Sequence, residues 1–304
     1  MPEVSVVIPT RNRADRLPLS ASSVLAQEGV ELELVVVDDA STDATPEILE
    51  RLASADRRVH VLRSVHARGA AATRNAGAAV ARAPLLAFND DDCVWEPTKL
   101  ELQLERMRAS EAGVVYCREA IHWPKSGVSV NGSPDAERQG AVRSLVTANY
   151  IGTISPLIDR SLFEQVGGFD ESLPALEDWD LWLRLGFLTR FAYVPEVLVR
   201  GEFVPGGISG SPERLRKAAR LMLEKWRADG RMSRRELALL HYGMGKYLLA
   251  EGLGADAREA LREGLRIDPT SPLNLLGLLA SPLGRGPINL LKRARIALRR
   301  SQST

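Results

Sequence analysis

Four polar clusters interrupt otherwise apolar runs, and each follows directly on such a run: Pro9-Thr10-Arg11-Asn12, Asp38-Asp39, the stretch Arg68 to Gly77, and Asn89-Asp90-Asp91-Asp92. Carboxylates gathered at one edge, here Asp38, Asp39, Asp90, Asp91 and Asp92, lose hydration and repel one another, so cations or hydrogen-bond donors must offset them. A divalent metal does so. Ligation by carboxylate oxygens suits Mg2+ or Mn2+, above all where a diphosphate supplies the remaining ligands. A cation held there stabilises the charge that develops on a departing diphosphate. A second acidic pair, Glu177-Asp178, opens an expected helix. The helix dipole alone favours acids at that position, and a carboxylate there is also a candidate general base. Trp179 and Trp182, at helical spacing just beyond, read either as core or as an aromatic platform.

The elements that must position these residues follow from the hydrophobic periodicity. Apolar runs at Val4 to Ile8, Leu32 to Val37, Val59 to Leu62 and Leu85 to Phe88 read as strands. Helices are expected between them, near Leu17 to Ala26, from Thr45 as N-cap with Pro46 at the first helical position, and near Ala70 to Val80. Near-continuous apolar strands joined by helices imply an α/β fold, a mainly parallel Rossmann-like sheet with helices on both faces and ligands at the strands' C-terminal ends. Beyond residue 113 the alternation loosens. Lys125 to Gly140 reads as an exposed loop, Ile154 to Ile158 as a strand, and Ser161 with Glu164 as a capping box for a short helix ending at Gly167-Gly168. After Ser209 only helices are expected, with start signals at Ser211-Pro212 and Ser233 to Glu236. This divides the chain into residues 1–209 and a helical extension, 210–304.

Bulk properties narrow the function classes. The 304 residues are 45% hydrophobic and 26% charged, the composition of an ordinary globular protein. A net charge of +1 gives no field for nucleic acid. Cys93 and Cys117 make neither a disulfide framework nor a zinc cluster, which points to a reducing compartment, and with no signal segment and no transmembrane helix in sight the cytoplasm is expected.

The ordered series of motifs resembles the inverting family 2 glycosyltransferases of GT-A fold across roughly residues 3 to 209. It comprises Val4 to Arg13, Val36 to Asp43, Gly69 to Gly77, Phe88 to Asp92, Gly167-Gly168-Phe169-Asp170-Glu171 and Glu177 to Arg184. The resemblance implies transfer of a hexose-type unit from a nucleotide diphosphate-sugar donor to a glycan, lipid-linked or small-molecule acceptor, with inversion and with Mn2+ or Mg2+ as cofactor. Carried over by position, Pro9, Thr10, Asn12 and Asp38 fall in the nucleotide cradle. Asp39 reads the base, Arg74 is a nucleotide-side cation and Asp90 lies near the ribose. Asp91 is the metal-binding last residue of an aspartate-any-aspartate motif whose first position is Asn89 here. Asp178 corresponds to the catalytic base, Glu177 to its orienting neighbour, and Trp179 with Trp182 to an acceptor wall. The family's loop histidine has no counterpart. Val204 or its neighbours stand in that loop, so either Glu202 substitutes or the site uses one ligand fewer.

The extension resembles one tetratricopeptide-like hairpin from Tyr242 to Pro269. Its last segment sets Leu290, Leu291, Ala294, Ala297 and Leu298 against Lys292, Arg293, Arg295, Arg299 and Arg300. That pattern is either a basic amphipathic helix lying peripherally on a membrane or a solvated terminal helix. Two rival functions stay open: a non-catalytic scaffold of the same fold, and a nucleotidyltransferase, whose glycine-rich loop after the first strand is missing from Pro9 to Asn12.

Overall fold

The computed structural model describes residues 1–123, 127–202 and 211–283. The chain opens as expected, with β1 (Val4–Thr10), α1 (Leu17–Leu25), β2 (Leu32–Asp38), α2 (Thr45–Ala55), β3 (Val59–Arg63), α3 (Ala70–Val80) and β4 (Leu85–Phe88) in alternation. Every residue of β2 is buried, because helices cover both faces of the sheet and leave no position for a polar-outward alternation. Val6, Ile8, Leu34 and Val36 meet Leu17, Val24, Leu49 and Leu100 in the core. On the other face α3 presses on β1, where a Cβ at Gly77 would lie 2.4 Å from Val7. Thr45 does not cap α2. The cap position is Ala44, and the Thr45 hydroxyl accepts the Arg13 N–H at 3.0 Å, tying the two loops together.

The second half continues with β5 (Cys93–Trp95), α4 (Lys99–Ser110), β6 (Val114–Trp123), β7 (Gly127–Asn131), α5 (Asp135–Gln139), α6 (Ala141–Leu145), β8 (Leu157–Asp159), α7 (Arg160–Gln165), α8 (Glu177–Gly186) and β9 (Phe191–Glu202). The strands form one sheet in the order β3-β2-β1-β4-β8-β6-β9-β5, with β7 on β6. Its first half is parallel. The expectation of a mainly parallel sheet is corrected beyond β4, where β8 pairs antiparallel to both β4 and β6, β5 to β9 and β7 to β6, while β6 and β9 are parallel. Asp159, rather than Ser161, caps α7 by accepting the Ser161 N–H, and the strand expected from Ile154 starts only at Leu157.

Contacts group the chain into two compact units, Met1–Val142 with Tyr150–Pro205, and Arg143–Asn149 with Gly206–Thr304. The second holds α9 (Pro212–Asp229), α10 (Arg234–Ala250), α11 (Gly254–Ile267) and α12 (Pro272–Ala280), with Ser211 and the Ser233/Glu236 capping box at the starts expected. Leu261 packs where a Cβ on Gly245 or Gly277 would come within 2.9 Å, so the glycines let α10, α11 and α12 close on one another. No helix among the described residues is long and apolar enough to cross a membrane. The basic tail and Val204 lie outside the described residues.

Candidate active site

The acidic residues that close β2 and β4 meet at the end of β1. The Thr10 carbonyl accepts the Asp39 N–H at 2.8 Å, and the Thr10 hydroxyl donates to Asp91 Oδ2 at 2.7 Å. Side chains from the other strand ends complete the loops. Asp39 accepts the Arg68 and Gly69 N–H groups at 2.7 and 3.0 Å, which fixes the entry to α3. Asn12 Oδ1 accepts the Thr42 N–H, while its own N–H donates to Ser41 Oγ. Asn12, Ala40 and Leu176 hold positive φ of 53, 61 and 63°, a left-handed conformation costly for residues with a Cβ. All three sit in loops that carry candidate residues.

Asp38 is corrected. It is fully buried, its Oδ1 accepts the Ser41 N–H, and Arg63 Nε lies 3.4 Å from its Oδ2, so it braces the turn and offers no surface to a nucleotide. Pro9 is half-buried within β1 and contributes strand geometry.

Asp91, expected as the metal ligand, stands apart from the acidic side chains that the structure gathers. Among the described residues, Asp90, Asp92 and Cys93 bring ligand atoms within 4.8 Å of one another. Asp91 turns the other way, toward Thr10 and Arg13, whose Nε is 3.7 Å from Oδ1. Burial, aided by repulsion from Asp90 and Asp92 and opposed by the Thr10 bond and Arg13, holds the Asp91 carboxyl up at about 7. The acidic motif is therefore Asp90-Asp91-Asp92. Asn89, expected at its first position, is buried in the core and donates to Ser20 Oγ and the Cys93 carbonyl, closing the turn beneath it. Burial pushes the Cys93 thiol far up, and it donates to Asp92 Oδ1 at 3.5 Å. Two oxygen donors, Asp90 and Asp92, thus remain that could hold a metal, a set that fits a hard divalent cation.

Arg74 spans the site. Its Nη2 lies 2.7 Å from Asp90 Oδ1 and its Nη1 3.1 Å from Glu177 Oε1. Burial works against its charge, but Asp90 and Glu177 outweigh that and hold it protonated. Asp178 follows, half-buried, on the first turn of α8 and within electrostatic reach of Arg74. Asn75 explains the pairing of two motifs: it takes the Phe169 N–H, donates to the Phe169 carbonyl and to Glu171, and so docks the Gly167-Gly168 turn on α3.

The acceptor wall is a further correction. Trp179 and Trp182 are 1% and 0% exposed, and Trp182 Nε1 donates to the Ile151 carbonyl, so both anchor α8 from within the core. Burial on nearly every side of α8, not an exposed aromatic face, explains their spacing. Sequence reasoning missed Arg13 and Asn75 and placed Asp92 in the acidic cluster without a role of its own; all three lie inside the motifs already quoted. A cavity of about 390 Å³ lined by Glu31, Arg58, His60 and Arg82 contains none of the candidate residues.

Comparison with known proteins shows similarity in sequence and in fold. The family model for glycosyl transferase family 2 matches residues 5–164. An Escherichia coli protein, the UDP-Glc:alpha-D-GlcNAc-diphosphoundecaprenol beta-1,3-glucosyltransferase WfgD, is 31% identical over 182 residues, covering 60% of this chain and 69% of the relative. Among solved structures, S. aureus TarS 1-349 in complex with UDP-GlcNAc superposes with a TM-score of 0.70 at 18% identity, covering 93% of this chain and 88% of that TarS fragment. The mannosyltransferase PcManGT from Pyrobaculum calidifontis, in complex with GDP-Man and Mn2+, gives 0.63 at 21% identity, covering 93% and 80%.

Proposed function

The chain belongs to glycosyl transferase family 2, and from that premise we propose that it uses the Asp90/Asp92 pair to hold a divalent cation and Asp178 to deprotonate an acceptor hydroxyl, so that the transferred sugar inverts. It is a glycosyltransferase acting on a nucleotide-sugar, of the kind found in polysaccharide biosynthesis. When bound, Mn2+ or Mg2+ supplies electrostatic stabilisation of the leaving diphosphate. The observation that carries the reading is the bridging of Asp90 and Glu177 by Arg74, which ties the cation pair to the helix bearing Asp178.

The chain's own residues take separate parts. Thr10, Asn12 and Asp39 shape the nucleotide end, because the loops after β1 and β2 are locked to each other there. Arg74 keeps a positive charge beside the diphosphate position. Asp178, on the first turn of α8, takes the acceptor proton during attack. Attack by the hydroxyl that Asp178 deprotonates displaces the diphosphate in a single step, so the configuration at the anomeric carbon inverts, by the logic that governs inverting glycosidases. The acceptor is a glycan, lipid-linked or small-molecule hydroxyl, and the basic segment after residue 283 supports peripheral contact with an anionic membrane.

The test is nucleoside diphosphate release from UDP-glucose, UDP-GlcNAc and GDP-mannose with Mn2+ or with chelator, alongside thermal shifts with UDP and GDP. Turnover of at least one donor that requires the cation, with an inverted product anomer, supports the reading. Full activity in chelator, or a retained anomer, defeats it.

A further inference from the structure

β6 carries a buried carboxylate that the mechanism above leaves unused. Glu119 is 4% exposed; its Oε1 accepts from Asn131 Nδ2 at 2.9 Å, while Oε2 is buried without a hydrogen-bond partner. Burial raises its carboxyl to about 7, with the Asn131 bond opposing and Asp90 adding to the rise. A polar atom left in that condition is unusual in a folded protein and calls for a ligand or a strain role. The surrounding chain keeps the space small and specific. A Cβ at Gly152 would stand 2.2 Å from Oε2 and 2.5 Å from Oε1, so glycine alone lets the carboxylate lie where it does.

The sheet order says what could reach it. The nucleotide-side loops close β2 and β1, the cation carboxylates follow β4, and β8 and β6 come next on the side away from β2. Glu119 lies close enough to Asp90 and to Cys93 to act on both electrostatically. An extended nucleotide diphosphate-sugar with its base over β1 and β2 and its diphosphate at Asp90 and Asp92 therefore directs its sugar toward β6. We propose that Glu119 is a specificity-determining residue whose free Oε2 accepts a hydroxyl of the glycosyl unit being transferred. The assignment rests on the donor reading above. It favours a fully hydroxylated hexose over a unit deoxygenated at the contacted carbon, because a site built around a buried acceptor rejects the analogue that leaves it unpaired.

The experiment measures dissociation constants, with Mn2+ present, for the pairs UDP and UDP-glucose and GDP and GDP-mannose, on the wild type, Glu119→Gln and Asn131→Ala, each checked by its melting transition. Gln keeps the volume and the bond to Asn131 but loses the charge. Glu119→Gln is expected to weaken the sugar nucleotide by about tenfold, the difference between a charge-assisted and a neutral hydrogen bond, while the bare diphosphate binds unchanged. Asn131→Ala, which keeps the carboxylate, is expected to lower the melting temperature and leave the ratio of the two constants within about twofold. Equal weakening of sugar nucleotide and bare diphosphate in Glu119→Gln, or no weakening of either, overturns the assignment. If the wild type binds neither pair, the donor reading itself falls and this assignment with it; if it binds the bare diphosphates and the sugar nucleotides equally and Glu119→Gln changes nothing, only Glu119 falls.

Discussion

Arg74 Nη1 lies 3.1 Å from the Glu177 carboxylate, and through that contact a helix from early in the chain holds the start of α8 at the edge where β4 ends. The guanidinium is 7% exposed, Glu177 14% and Asp90 37%. Removing the cation strands two carboxylates beside each other, and breaking a buried pair from one side costs about 3 to 5 kcal/mol. Water reaches Asp90 and screens part of that, so Arg74→Ala should destabilise by about 3 kcal/mol, read as a lower denaturant midpoint. Glu177→Gln should cost less, since Arg74 keeps Asp90. Equal losses in the two variants would mean that the bridge does not hold the elements together.

The cation ligands separate cleanly from their neighbour. Asp92→Ala should weaken Mn2+ binding by more than about tenfold, since loss of an outer-shell partner alone costs that much, and the Mn2+-induced thermal shift should disappear. Asp91→Asn should keep the shift, because its side chain serves Thr10 and Arg13. A thermal shift lost in Asp91→Asn and kept in Asp92→Ala would reverse the assignment.

Why the arrangement of the acidic side chains is not legible in the sequence is physical. In three consecutive aspartates, composition does not say which side chains face the ligand, and the direction depends on how the turn after β4 closes. Here it closes on Asn89, whose amide donates to Ser20 and to the Cys93 carbonyl, a long-range contact with no local signature. The first four strands were legible because each is an apolar run covered on both faces. β5, three residues long, is defined by an antiparallel partner far along the chain and left no periodicity to read, and for β8 the apolar run from Ile154 marked a strand but not that pairing begins only at Leu157. Trp179 and Trp182 were ambiguous for a related reason: helical spacing places them on α8, and only packing decides whether that side meets solvent. Glu119 left no signal either, since a lone Glu on a strand reads as a solvent-facing residue until its burial is known.

The base assignment predicts a split between chemistry and binding. Asp178→Asn should lower turnover at least about 100-fold, the usual contribution of a positioned base, while the dissociation constant of the nucleoside diphosphate stays within about twofold. Raising the pH should not restore the loss, because the amide does not titrate. Turnover within a few-fold of the wild type would remove Asp178 from the base role, and a parallel fall in nucleotide affinity would make it a binding residue instead.

Lys99 yields a prediction about stability against pH. Its ammonium is fully buried, donates to Gln103 Oε1 at 2.8 Å and lies 3.8 Å from the centre of the Trp95 ring. Burial nevertheless lowers its pKa from 10.5 to about 8. Below pH 8 both folded and unfolded chains carry the proton, and the folded state bears the full cost of the buried charge. Between about 8 and 10.5 the folded chain sheds the proton first, the unfolded chain binds more protons, and stability from this group rises with pH. At about 1.4 kcal/mol for each unit, the rise amounts to about 3 kcal/mol. Lys99→Met removes the titration and also leaves Gln103 Oε1 without its donor, so the absolute stability of the variant mixes two effects of opposite sign. The pH dependence does not mix them. The stability of the wild type minus that of Lys99→Met should increase steadily from pH 8 toward pH 10 in denaturant titrations. A difference that stays flat across that range would mean that the buried amine keeps an ordinary affinity for its proton, with Gln103 and Trp95 compensating its burial in full.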